Sequence, residues 1–178
     1  MGMVQGAVYD AVNAIRPKEH RPYLLHRRAG AKTSIDAAVA TAAYDVLSHL
    51  VSTAPETAPF PGRAGLLTTL TEQYAGSLAA VDDGSFEKKG INIGHAAAAA
   101  MIKARVNDGR FGPSQWIPNP AAGHWQPLGG VLDPTPWAGG VRPFLIQSQS
   151  QFRSAPPPAL DSAQWAAEFN EVKSLGSI

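Results

Sequence analysis

Apolar residues recur at intervals of three and four over most of the first hundred positions, the helical period. Val4, Val8, Ala11, Val12 and Ile15 predict a first helix over about 3–15, closed at Arg16-Pro17 because the residue before proline is pushed out of the helical region. No Ser, Thr, Asp or Asn precedes it, so it begins like a helix interior, as in a chain cut from a longer one. Ser34 is the expected cap of a second helix running to about Leu50. Its stripe is Ile35, Val39, Ala42, Ala43, Val46, Leu47 and Leu50. Leu66, Leu67, Leu70, Tyr74 and Leu78 mark a third helix over about 63–80, after a proline-bearing turn at 55–62. A fourth, over about 85–107, follows Asp82-Asp83-Gly84-Ser85, whose acids suit a helix start. Its stripe of Gly90, Gly94, Ala97, Ala98 and Met101 is mostly small, which predicts close backbone approach and a central place in a bundle. Asn107-Asp108-Gly109 ends it.

From 109 to 160 no period survives. This stretch holds ten of the 15 prolines and three of the four tryptophans, and aromatics at that density argue against free disorder. An ordered irregular excursion is expected, with Pro156-Pro157-Pro158 as a rigid spacer. Asp161 then caps a fifth helix, with Gln164 completing a capping box and Trp165, Phe169 and Val172 on its apolar face. The expected fold is therefore all-α: a single helical domain over 1–178, with a four-helix core (1–108), an irregular Pro/Trp-rich excursion (109–160) and a C-terminal helix (161–176).

Composition narrows the function classes. Fifteen Lys and Arg against 14 Asp and Glu leave a net charge of +1, no footprint for nucleic acid. The absence of cysteine removes disulfides, thiolate catalysis, iron–sulfur clusters and cysteine-type zinc sites. No apolar run reaches the ~20 residues of a membrane span. A basic, proline-bearing loop, Arg16 to Lys32, follows the first helix. No Gly-x-Ser-x-Gly elbow or Walker-type loop is present, and Gly109-Arg110-Phe111-Gly112-Pro113 reads as a turn leaving a helix. Asp45 and His49, four apart, could in principle share a metal, but read more simply as a charge pair on one helix face. His95, set among glycine and alanines, reads as an interhelical hydrogen-bonding residue. Neither a catalytic residue nor a metal ligand is assigned. Arg110, Phe111, Trp116, His124 and Trp125 could line a cleft or channel; the plainer reading is that the aromatics pin the excursion to the bundle.

Several segments together resemble a known family. Met3-Val4-Gln5-Gly6-Ala7-Val8-Tyr9-Asp10-Ala11-Val12-Asn13-Ala14-Ile15, Ala37-Ala38-Val39-Ala40-Thr41-Ala42-Ala43-Tyr44-Asp45-Val46-Leu47, Arg105-Val106-Asn107-Asp108-Gly109-Arg110-Phe111, Ser148-Gln149-Ser150-Gln151-Phe152-Arg153 and Glu168-Phe169-Asn170-Glu171-Val172-Lys173 resemble, in order, the N-terminal helical part of bacterial vanadium-dependent haloperoxidase-like proteins. These belong to the type 2 phosphatidic acid phosphatase superfamily. The resemblance implies halide oxidation by peroxide, or phosphate ester hydrolysis, in the intact family, with vanadate as its cofactor. The family's signature is Lys, six residues, Arg-Pro; then Pro-Ser-Gly-His; then Ser-Arg, five residues, His. Here Arg142-Pro143, Arg16-Pro17 and Arg21-Pro22 have Thr135, Tyr9 and Ala14 where the lysine would stand, and Ala122-Gly123-His124 has alanine in place of serine. The resemblance therefore implies a scaffold portion that carries neither catalytic residue nor cofactor of its own. The alternatives are a free-standing noncatalytic interaction module, associating with itself through exposed apolar helix faces, and a small-molecule binder using the tryptophan loop. An open face is expected on the first helix (Val4, Val8, Ile15) or on the fifth (Trp165, Phe169).

Overall fold

The computed structural model describes residues 1–16, 20–55, 62–112, 117–131, 133 and 135–176. Five α-helices form, α1 Gly2–Ile15, α2 Ile35–Thr53, α3 Arg63–Ala79, α4 Ser85–Ala104 and α5 Ala163–Gly176, with two short 3-10 turns at Leu128–Gly130 and Pro136–Gly140. No strand occurs among the described residues, and no helix there is long and apolar enough to cross a membrane. The fold is all-α, in two compact units, Met1–Phe111 and Gly112–Ile178.

The first unit holds the core. Ala7, Ala11, Ala37, Ala38, Ala42, Val46, Ala97 and Met101 are buried. The hub of the unit is α2, which packs against α1, α3 and α4; α1 and α4 also meet each other. The sequence pattern gave that central place to α4, whose small face is real but serves one partner closely. A Cβ on Gly94 would lie 2.5 Å from Thr41 Cβ and 2.6 Å from the Ala38 carbonyl oxygen, and one on Gly90 would collide with the Ser34 carbonyl. The two helices run parallel there, since Gly90 faces 34–38 and Gly94 faces 38–42.

Against α3, the hub uses its other side. Tyr44 stacks on Tyr74 with centroids 4.4 Å apart and planes 6° from parallel. The wholly buried Thr41 hydroxyl donates to the Ala37 carbonyl at 2.7 Å and accepts from the Tyr74 hydroxyl at 2.9 Å. Helix α3 itself buries nothing completely. Leu67, Leu70, Tyr74 and Leu78 are half-covered and Leu66 is exposed, so only part of the expected stripe is used.

Local signals explain most helix ends. Ser34 Oγ accepts from the Ala37 N–H at 3.2 Å, the expected cap of α2. Asp82 and Asp83 do not cap α4: its cap position is Gly84, with no side-chain bond. The start of α5 also differs, because Ser162 Oγ, not Asp161, accepts from the Trp165 N–H at 3.1 Å. Gln164 donates to Glu168 at 2.8 Å rather than closing a capping box. In the 55–62 turn, residues 56–61 lie outside the described part.

The second unit is built differently. None of its described residues is buried, and Leu128, Leu145, Phe152 and Leu175 are all well exposed. Short turns hold it: Gln147 N–H donates to the Gln151 side chain at 2.6 Å and Gln149 donates to the Val141 carbonyl at 2.9 Å. Of the two helix faces expected to stand open, that of α1 is covered, with Val4 and Ile15 buried, whereas α5 exposes Phe169, Val172 and Leu175.

Candidate functional site

The sequence-predicted site residues divide into two local arrangements, one in each unit, and Trp116 lies outside the described residues. Arg110 and Phe111 end the first unit in a turn built on one carboxylate. Past Ala104 the chain leaves the helix: Asn107 and Phe111 adopt φ of 51° and 57°, and Gly109 takes 95°. Left-handed backbone at two non-glycine residues is costly and persists only where surroundings hold it. Here Asp108, 5% exposed, does the holding. Its Oδ2 accepts from Arg105 Nε and Nη2, both at 2.9 Å. Its Oδ1 accepts from the Arg110 backbone N–H and Nε, both at 3.1 Å. Burial pushes the Asp108 carboxyl up, but the Arg110 hydrogen bonds and the charges of Arg110 and Arg105 outweigh it, and the group sits below its ordinary value. Two guanidinium groups are thus committed to one internal anion.

In the second unit, His124 and Trp125 sit in a turn organised by Asn119. Asn119 Oδ1 accepts from the Ala121 N–H at 3.0 Å, and its amide nitrogen lies 3.1 Å from His124 Nε2. Gln126 donates to the Asn119 carbonyl at 2.6 Å. With the Asn119 amide as donor, the His124 Nε2 lone pair is engaged. Trp125 is 57% exposed.

Two partnerships, that of His95 and that of Asp10, were not read from the sequence pattern. His95 Nδ1 lies 2.6 Å from Asp45 Oδ2, joining α4 to α2. This bears out the interhelical reading of His95 and gives Asp45 a different partner from His49. The pair is separated by 50 residues, so only the packing of two helices reveals it. The other is Asp10, 1% exposed on the apolar face of α1. Its carboxylate accepts from three consecutive backbone N–H groups, Tyr23 at 2.6 Å, Leu24 at 2.7 Å and Leu25 at 2.9 Å. A carboxylate amid Ala7, Ala11 and Ala14 was its available signal, because a buried charge must find donors.

Among the described residues no group of three or more His, Asp or Glu could hold a metal ion. No protein-family model, no curated protein and no solved structure matches the chain.

Proposed function

We propose that this chain is the helical scaffold portion of a haloperoxidase-like protein of the type 2 phosphatidic acid phosphatase superfamily, with the chemistry supplied by sequence outside these 178 residues. One observation supports this reading: the resembling segments of the first unit occupy packing positions. Residues 3–15 lie in α1, 37–47 form the middle of the hub α2, and 105–111 make the turn locked by Asp108. A vanadate or transferring phosphoryl group needs uncompensated cations, serine and backbone donors, and a histidine on the central atom. The resembling segments of the first unit do not fit that group, because their two cations, Arg105 and Arg110, are taken by Asp108. The purified chain, supplied with vanadate, peroxide and bromide, is expected to form no brominated product, and turnover would overturn the reading. Coding sequence downstream of Ile178 that carries Pro-Ser-Gly-His and Ser-Arg, five residues, His would support it directly.

A second reading, a noncatalytic module that associates with itself, is favoured by α5. Its apolar stripe of Phe169, Val172 and Leu175 is 58%, 70% and 79% exposed, more contiguous apolar surface than one isolated side chain explains.

A further inference from the structure

We propose that Asp83-Gly84, in the turn between α3 and α4, is a modification site: it rearranges to isoaspartate and so becomes a substrate for carboxyl methylation, independently of the scaffold reading. The sequence holds two Asp-Gly pairs, at 83–84 and 108–109, and no Asn-Gly pair. Glycine after an aspartate leaves the backbone nitrogen unshielded, because it has no Cβ. That nitrogen can then attack the neighbouring side-chain carboxyl. By sequence the two pairs are equivalent; the structure separates them.

Asp83 is exposed, and its carboxylate takes part in no hydrogen bond or ion pair among the described residues. The Gly84 N–H donates to nothing there, and α4 has no side-chain cap at this end. Space around Gly84 is open, since a Cβ built on it would meet nothing within 4 Å. The Asp83 ring therefore closes without breaking a contact. Asp108 is the opposite case. It is 5% exposed, and both its oxygens are engaged by Arg105 and Arg110. Its carboxyl reaches the Gly109 nitrogen only by leaving a buried ion network.

The reaction balances with water alone. The Gly84 nitrogen bonds to Cγ of protonated Asp83 as the Cγ–OH bond breaks, and water leaves with the amide proton, giving a cyclic imide. Water then adds to a ring carbonyl. Opening at the main-chain carbonyl leaves Gly84 joined through Cγ and frees the α-carboxylate. Composition is unchanged, but the main chain is one methylene longer immediately ahead of α4. The freed α-carboxylate is the acceptor for an isoaspartyl methyltransferase, which forms an O–CH3 bond as the S–CH3 bond of S-adenosylmethionine breaks.

The test incubates the full chain in warm, mildly acidic buffer and follows the peptides carrying 83 and 108 by electron-transfer fragmentation, which distinguishes isoaspartate from aspartate. Isoaspartate is expected at 83 at least ~100-fold faster than at 108, the rate equivalent of breaking the Asp108 network. Isotope-labelled methyl from S-adenosylmethionine, transferred by an isoaspartyl methyltransferase, should enter the peptide carrying 83. In urea sufficient to unfold the chain the two rates should become comparable, because the fold no longer protects Asp108. Asp83→Glu keeps the charge but sets the carboxyl one methylene too far for the same ring; it should abolish methyl incorporation at that peptide, with helix content by circular dichroism unchanged. A smaller ratio in the folded chain, a ratio that survives in urea, or methyl incorporation that persists in Asp83→Glu overturns the proposal.

Discussion

Asp108 shows how one side chain decides where a helix stops. Asn107-Asp108-Gly109 announces an end, and the period would carry α4 to 107; in the structure it ends at Ala104. The difference is the carboxylate, which draws Arg105 and Arg110 around itself and withdraws 105–110 from the helix. Removing one member of a buried ion network leaves its partners uncompensated, at a cost of about 3 kcal/mol. Asp108→Ala is therefore expected to lower unfolding free energy by about that much at neutral pH, measured by denaturant titration. The pH dependence follows from the depressed carboxyl. Its ordinary value is 3.8, so the stabilisation is fully present above that pH and is lost as pH falls through the lower folded-state value. The stabilities of wild type and Asp108→Ala should converge in strong acid. At the same scale, adjacent Asp161 and Ser162 could both have capped α5, and pattern alone does not choose between neighbours of equal capping strength.

Among the elements, the α2–α4 seam was the most legible, because glycine at 90 and 94 has no other helical purpose than close approach. The hub position of α2 was less so. Its alanines offer a small surface on several sides at once, a property that an amphipathic stripe does not capture. The seam gives a contrast in sign. Gly94→Ala adds helix propensity of about 1 kcal/mol but drives a methyl into Thr41 and the Ala38 carbonyl, an overpacking cost of about 2 kcal/mol. Gly76 in α3 has nothing within 4 Å of where its Cβ would stand. Gly76→Ala should therefore raise the melting temperature while Gly94→Ala lowers it, read by thermal circular dichroism. The Asp45–His95 link belongs to this scale too: neither residue signals the other until α2 and α4 lie side by side.

For the whole molecule, all-α architecture was plain from the helical period, and the irregular stretch from the loss of it. What the pattern did not convey is the unequal burial: the described residues of Gly112–Gly176 contribute nothing fully buried. Of the candidate site, only its local pieces were legible, Arg110 beside Phe111 and His124 beside Trp125, since each pair is adjacent in sequence. If the open α5 stripe drives self-association, sedimentation velocity should show mass increasing with concentration, and Phe169→Glu with Val172→Glu should abolish the increase while helix content is retained. The Asp10 clasp has a kinetic consequence. It ties residues 13–15 positions apart, whereas the Asp45–His95 link spans 50. The shorter loop closes at an entropic advantage of about 1 kcal/mol. The amino-terminal corner can thus assemble as an early nucleus, onto which the hub and its parallel partner condense.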